Sequence, residues 1–192
     1  MRITGGKFGG RIINVPKSDA VRPTQDRVRE ALFSMLMCVV PESDFLDLFA
    51  GSGAVGLEAV SRGARSVMFV ERDARHLAEL KRNASSLGVE NASFVRADAY
   101  KWIEGYVGAG FDVAFADPPY ALGEEKGYGA FLETLASRGV VRGGGFFVAE
   151  MTAVQKVQSP GGWTLVRDRT YGKTRICLWC RDGNEENGDL KK

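Results

Sequence analysis

The chain has 192 residues, of which 26% are charged and 44% hydrophobic, and its formal net charge is +2. This composition is that of an ordinary globular protein, and the length suits one domain with a sizeable core. No apolar run approaches the length that a membrane-spanning helix needs, and the opening MRITGGKFGG contains no apolar signal-peptide region. We therefore expect a cytoplasmic protein that has no membrane partner.

The amino-terminal segment is basic and rich in glycine. Residues 1–29 contain two acidic side chains, Asp19 and Asp26, and seven basic ones: Arg2, Lys7, Arg11, Lys17, Arg22, Arg27 and Arg29. This excess fits a polyanionic partner, and a solvated basic surface explains it equally well. Two short strands around the turn GGKFGG are predicted, followed by a helix with Thr24 as its N-cap and apolar residues at helical spacing.

From residue 44 onward, strand and helix patterns alternate. The predicted parallel strands are DFLDLFA, SVMFVE, ASFVRA, FDVAFA and GGGFFVAE, and helical patterns follow the first four. WTLVRDRTYGKTRICLWC then predicts two strands joined near Gly172. This order predicts an α/β fold, a doubly wound sheet of about seven mostly parallel strands with a closing antiparallel hairpin. The polar tail after residue 181 is expected to be disordered.

A glycine-rich loop, GSGAVG, joins the first of these strands to its helix. Glycines there allow a tight turn and a close approach to a ligand, and Glu71 follows twenty positions later with a carboxylate suited to a ribose diol. NAD and S-adenosylmethionine both fit this pattern. Asp47, inside the strand, would repel phosphates but favour the ammonium of a methionine group, and Asp98 could accept from an adenine amine. Single acids at strand ends also often cap the next helix.

The stretch FADPPY, residues 115–120, ends the fourth strand in a rigid corner. Two consecutive prolines cannot continue a sheet, so they fix the positions of Asp117 and Tyr120. Asp117 and the carbonyl of Pro118 offer acceptors for the two N–H bonds of an exocyclic base amine, and Tyr120 offers a stacking face. The corner thus favours methylation of a base amine. We find no set of residues suited to hydride transfer in the sequence.

Two cysteines, Cys177 and Cys180, have the spacing of metal ligands in CLWC, but residues three apart in a strand face opposite sides. We expect ordinary thiols and no metal site.

The motifs DLFAGSG, VERD, RAD and DPPY, in that order, resemble those of amino-methylating class I S-adenosylmethionine-dependent methyltransferases. With RITGGKFGGRII, RPTQDRVREALF, LDLFAGSGAVGLEAVSRGA and YGKTR, the chain to about Cys180 is similar to the RsmD family of 16S rRNA (guanine-N2)-methyltransferases. The resemblance implies a Rossmann-like methyltransferase domain over residues 24–181 and a basic hairpin extension over 1–23. The tail over 182–192 has no counterpart in the family.

The resemblance also implies roles for individual residues. The implied cofactor site, for S-adenosylmethionine, comprises Asp47, Phe49, Ala50, Gly51, Ser52, Gly53, Glu71, Arg72, Asp98 and Ala99. The implied catalytic residues are Asp117, Pro118, Pro119 and Tyr120. The implied RNA contacts are Arg2, Lys7, Arg11, Arg22 and Arg27, with hairpin glycines lying close to the RNA. Arg27 and Arg29 fit equally well as helix-surface charges that have no role in RNA binding.

The implied partner is 16S rRNA in a small-subunit particle. We expect the protein to be a monomer. The turn in RTYGKTR either adds Lys173 and Arg175 to that surface or is a plain hairpin turn. Three other functions stay open on the residues themselves: methylation of adenine N6 or another base amine in DNA or RNA, a non-catalytic RNA-binding module, and an NAD-linked oxidoreductase.

Overall fold

Seven strands form one sheet in the part of the chain that the computed structural model describes, residues 1–15, 23–118 and 128–183. The strands are β1 (Asp44–Leu48), β2 (Ser66–Glu71), β3 (Ala92–Arg96), β4 (Phe111–Ala116), β5 (Val141–Thr152), β6 (Trp163–Tyr171) and β7 (Thr174–Arg181). Their order across the sheet is β3-β2-β1-β4-β5-β7-β6. Strands β1 to β5 run parallel, and β7 is antiparallel to both β5 and β6. The predicted doubly wound sheet with a closing hairpin is confirmed.

Helices cover both faces of the sheet. The described helices are α1 (Pro23–Met35), α2 (Ala54–Ser61), α3 (Ala74–Leu87), α4 (Ala99–Glu104) and α5 (Gly129–Ser137). The first three pack on one face, hereafter the α1 face, and the last two on the other. The central strands are covered on both sides, so β1 and β4 are buried at every position but one each. No helix among the described residues is long and apolar enough to cross a membrane.

The amino-terminal segment packs against the domain rather than extending from it. Ile3, Phe8 and Ile13 are buried in the core on the α1 face. The predicted two strands reduce to one antiparallel bridge, between Arg2 and Ile12. The tight Gly5–Gly10 turn occupies the residues between, and it leaves no room for a longer ladder.

Gly6 is the point where this segment approaches α2 most closely. Its φ is +75°, and a Cβ placed there would lie 1.9 Å from the carbonyl oxygen of Ser61. The next two backbone N–H groups donate to Ser61, from Lys7 to its carbonyl at 2.6 Å and from Phe8 to its Oγ at 2.8 Å. The close approach that requires glycine at this position is therefore to the end of α2. The approach of the hairpin glycines to RNA stays a prediction.

An ion-pair network joins the same segment to α1 and α2. Glu58 is fully buried, and its carboxylate accepts from Arg29 Nε at 2.7 Å and from Arg62 at 2.8 Å. Thr4 also donates to Glu58, from its backbone N–H at 3.2 Å and from its hydroxyl. Arg29 is only 4% exposed and pairs with Asp26 at 3.0 Å as well. Arg29 therefore stabilises the junction and is not a surface charge.

Candidate functional site

The candidate site lies where β1 and β4 end side by side. Leu48 pairs with Ala116 in the parallel register, so the residues that follow the two strands, Phe49 and Asp117, begin at the same edge of the sheet. The chain after β1 turns to one side of the sheet order and the chain after β4 to the other. Ligands of doubly wound sheets bind at such a switch point.

The glycine-rich loop after β1 has a backbone that few residue types adopt. Phe49 has a φ of 62°, which is uncommon for a residue other than glycine, and Gly51 and Gly53 have φ values of 54° and 85°. A Cβ at Gly53 would lie 2.1 Å from Leu80 Cδ1, whereas a Cβ at Gly51 would meet nothing within 4 Å. Gly53 thus serves the packing of α3, and Gly51 faces the open space where a ligand fits.

Two buried carboxylates hold this loop. Glu71 accepts from the Gly51 N–H at 2.8 Å through one oxygen and from the Asp73 N–H at 2.7 Å through the other. Asp47 is 2% exposed and accepts from the Gly56 N–H at 2.8 Å. Burial, opposed by the Gly56 hydrogen bond and aided by the charge of Glu71, raises the pKa of Asp47 to about 7. A cation beside Asp47 would relieve this cost of charging.

The outer part of the predicted cofactor site is more open. Asp98 is the N-cap of α4 and accepts from the Lys101 N–H at 3.2 Å, so it has the capping role that strand-end acids often have. Ala99 is buried beside it, and Arg72 is exposed. These geometries leave the predicted contacts to adenine untested.

Asp117 lies at the corner that follows β4, the predicted catalytic corner, with Pro118 buried next to it. Asp117 is exposed to solvent, although many protein atoms lie around its carboxyl group. Desolvation, together with the charges of Glu150 and Asp47, raises the pKa of Asp117 well above its usual range. The other two residues of the predicted corner, Pro119 and Tyr120, lie outside the described residues.

Glu150, which the sequence analysis did not select, belongs to the same group. It comes one residue after the Ala116–Ala149 pair of β4 and β5, so it lies beside Asp117. Burial raises its pKa to about 7. A sequence signal for Glu150 was available, because this residue follows the last buried stretch of a parallel strand, just as Glu71 ends β2.

Asp47, Asp117 and Glu150 together make this edge of the sheet acidic. No Lys or Arg among the described residues forms an ion pair with any of the three. Like charges in a poorly hydrated site raise one another's pKa, and a cationic ligand removes that penalty. The site therefore favours a ligand with a net positive charge over one that carries a pyrophosphate.

Asn83 on α3, also missed in the sequence, connects this loop to the amino-terminal segment. Its side chain is 2% exposed; Oδ1 accepts from the Asn14 N–H at 2.9 Å, and Nδ2 donates to the carbonyls of Asn14 at 2.9 Å and Ser52 at 3.0 Å. One amide thus fixes both the backbone of the glycine-rich loop and the end of the basic segment.

Four of the five predicted RNA-contacting residues lie in the described part of the chain. Arg2, Lys7 and Arg27 are exposed, and Arg11 is exposed while donating to the Ser86 carbonyl at 3.0 Å. Lys7 lies at the carboxyl end of α2, away from the glycine-rich loop at its amino end. Arg22 lies outside the described residues. The RNA contacts of the four described residues stay a prediction.

The two cysteines of CLWC lie in different environments. Cys177 is buried, with its Sγ 3.7 Å from Asp168 Oδ1, and burial raises the pKa of its thiol to about 12. Cys180 is half-buried, with its Sγ 3.9 Å from the Gly144 carbonyl oxygen.

Comparisons of the sequence with known proteins identify the family of this chain. The family model described as "Conserved hypothetical protein 95" matches residues 1–180. Ribosomal RNA small subunit methyltransferase D of Escherichia coli is 34% identical over 190 residues, covering 97% of this chain and 93% of that protein. The protein of the same name from Haemophilus influenzae is 33% identical, with 90% and 89% covered.

Solved structures give the same result. The Escherichia coli protein yhhF superposes with a TM-score of 0.86 at 32% identity, covering 96% of this chain and 99% of that one. An RNA methyltransferase of Salinibacter ruber, solved with S-adenosyl-L-homocysteine, shares the fold with a TM-score of 0.63 at 16% identity, over 89% and 100% of the two chains. The chain belongs to the family of Conserved hypothetical protein 95, the RsmD family of methyltransferases.

Proposed function

We propose that this protein transfers a methyl group from S-adenosylmethionine to the exocyclic N2 of a guanine in 16S rRNA within the small-subunit particle. Its relatives are named as small-subunit rRNA methyltransferases, which supports the rRNA substrate. The observation that carries the proposal is the position of Asp117 and Pro118 beside the open glycine-rich loop, at the junction of β1 and β4.

The residues around the loop fit S-adenosylmethionine, which supplies a methyl group on a positively charged sulfur. Gly51 leaves open space, Asp47 offers a buried carboxylate for the ammonium of the methionine part, and Glu71 offers a carboxylate for a ribose diol. The acidic edge favours this cation, whereas the pyrophosphate of NAD would meet uncompensated carboxylates.

Asp117 would orient the substrate amine. The lone pair of an exocyclic base amine is delocalised into the ring, so the nitrogen must rehybridise before it can attack a methyl carbon. Ionised Asp117 and the Pro118 carbonyl can accept the two N–H bonds of N2, which directs the lone pair towards the methyl group. The proline corner holds both acceptors in place before the substrate arrives, so little ordering remains at the reaction step.

Methylation assays with radiolabelled donor on small-subunit particles, free 16S rRNA and naked DNA would test this proposal. We expect label in N2-methylguanine of the particle rRNA, and none in DNA. Asp117→Ala should abolish turnover while particle binding stays within a few-fold of wild type, and Asp112→Ala, at the other end of β4, should remain active. Activity on DNA alone would contradict the proposal, and so would an unchanged rate in Asp117→Ala.

A wild-type protein that binds particles but neither binds S-adenosylhomocysteine in calorimetry nor methylates would instead support a non-catalytic RNA-binding module.

A further inference from the structure

A row of residues crosses the sheet from the catalytic corner to its last strand. Asp117 lies beside Glu150 on β5, Glu150 pairs with Ile176 on β7, and Ile176 pairs with Arg169 on β6. Neighbouring strands are about 4.8 Å apart, so the Cα atoms of Asp117 and Arg169 are roughly 14 Å apart along this row. A strand whose base is held at Asp117 would therefore reach Arg169 within a few nucleotides.

Every member of this row points to the α1 face. Phe115 and Val148 belong to the core on that face, and side chains two positions further along a strand return to the same side, which places Asp117 and Glu150 there. Ile176 is part of the same core. Its cross-strand partner, Arg169, therefore shares the face from which Asp117 is approached.

Three cations at this end of the sheet lack a carboxylate partner among the described residues. Arg167 and Arg169 are exposed and donate only to the carbonyls of Val166 at 2.8 Å and Asp168 at 3.0 Å. Lys173 is exposed in the β6–β7 turn, which the pairing of Thr174 with Thr152 places at the carboxyl end of β5. We call these three residues the basic strand surface.

Arg175, by contrast, is committed to a partner. Its guanidinium donates to both carboxylate oxygens of Asp168, with 2.7 Å from Nε to Oδ1. This pair lowers the pKa of Asp168 and neutralises the one acidic side chain within β6. The basic strand surface therefore keeps its positive charge.

Charged side chains on an edge strand also have a simpler role, because they prevent sheets from pairing edge to edge. β6 is such an edge, and a register irregularity between Leu165 and Arg167 already distorts it. Protection of the edge requires charge of either sign. It does not require that the charge be positive or lie in register with the catalytic corner.

We propose that the basic strand surface binds phosphate groups of the rRNA strand that carries the target base. This inference rests on the proposed function and adds a second contact region to it. The exposed arginines, which present planar donors, suit phosphate oxygens. Arg169 lies in the same row as Asp117, and this sets the path of the bound strand: it runs from the catalytic corner across β5 and β7 to β6.

The test is the triple variant Arg167→Glu, Arg169→Glu, Lys173→Glu, which keeps the edge charged but repels phosphate. The matched control, Lys81→Glu, Lys101→Glu, Arg138→Glu, makes the same charge change at exposed positions on three helix surfaces or ends. Binding of both variants and the wild type to unmethylated small-subunit particles is measured by filter binding from 0.05 to 0.3 M KCl, and S-adenosylhomocysteine binding is measured by calorimetry.

Loss of three phosphate contacts should reduce the slope of log K against log salt by about 2, which corresponds to roughly 100-fold weaker binding at 0.1 M salt. The control should keep the wild-type slope, and both variants should bind S-adenosylhomocysteine normally. Equal particle binding by the two triple variants would overturn the inference and leave the proposed function standing. A wild-type protein that does not bind or methylate particles would instead contradict the proposed function itself.

Discussion

The substitution Asp47→Asn should stabilise the protein at alkaline pH while weakening cofactor binding. Asp47 is buried, and its pKa of about 7 lies about 3 units above its usual value. The folded protein therefore retains a proton between pH 4 and 7 that the unfolded chain has released, so the wild type loses stability as the pH rises through this window. The full effect is about 4 kcal/mol, since each unit is worth about 1.4 kcal/mol.

Urea unfolding of wild type and Asp47→Asn at pH 5 and pH 8 measures this effect as a double difference. About 2 of the 3 units lie in this range, so the stability gap should shift by about 3 kcal/mol in favour of the variant at pH 8. The asparagine can still accept from Gly56, so the fold is kept. A gap that does not change with pH would refute the reasoning.

Cofactor affinity should move in the opposite direction. Binding of an ammonium beside Asp47 requires the ionised carboxylate, so wild-type affinity for S-adenosylhomocysteine should fall by up to about tenfold per unit below pH 7. Asp47→Asn should bind weakly at every pH. If the wild type and Asp47→Asn bind S-adenosylhomocysteine with equal affinity, the ammonium does not bind beside Asp47.

Two further substitutions test the connections between the amino-terminal segment and the site. Asn83→Ala should weaken S-adenosylhomocysteine binding about tenfold in calorimetry, because the Ser52 carbonyl loses its donor. The control, Asn91→Ala, removes amide hydrogen bonds at the opposite end of β2 and should bind normally. Equal affinities of the two variants would mean that Asn83 is purely structural. Arg29→Met should lower the free energy of unfolding by about 3 kcal/mol in urea, since Glu58 is left buried with less compensation, and a change below about 1 kcal/mol would contradict the assigned network.

The sheet was predictable because its information is local. Continuous apolar runs predict buried parallel strands, and a glycine loop or an acid at each strand end marks the edge where ligands bind. The amino-terminal segment was harder to predict, because its glycines and Arg29 contact residues that are distant in the sequence. Gly6 meets Ser61 and Arg29 meets Glu58, and no spacing rule reveals such contacts.

The sequence suggests site residues where a single motif marks them, and it gives no sign of those that depend on contacts between distant segments. Asp117 follows from its motif, whereas the importance of Glu150 depends on the register between β4 and β5. Asn83 lies in a helical pattern typical of a core-facing side chain, and only the fold shows that its amide reaches Ser52 and Asn14.

Nucleoside mass spectrometry of 16S rRNA from cells with and without this protein tests the central claim most directly. The account predicts that one N2-methylguanine disappears from the rRNA of the deletion strain, returns with the wild-type gene and does not return with Asp117→Ala. An unchanged set of methylated nucleosides in the deletion strain, or the loss of a methylated adenine in place of the guanine, would contradict it.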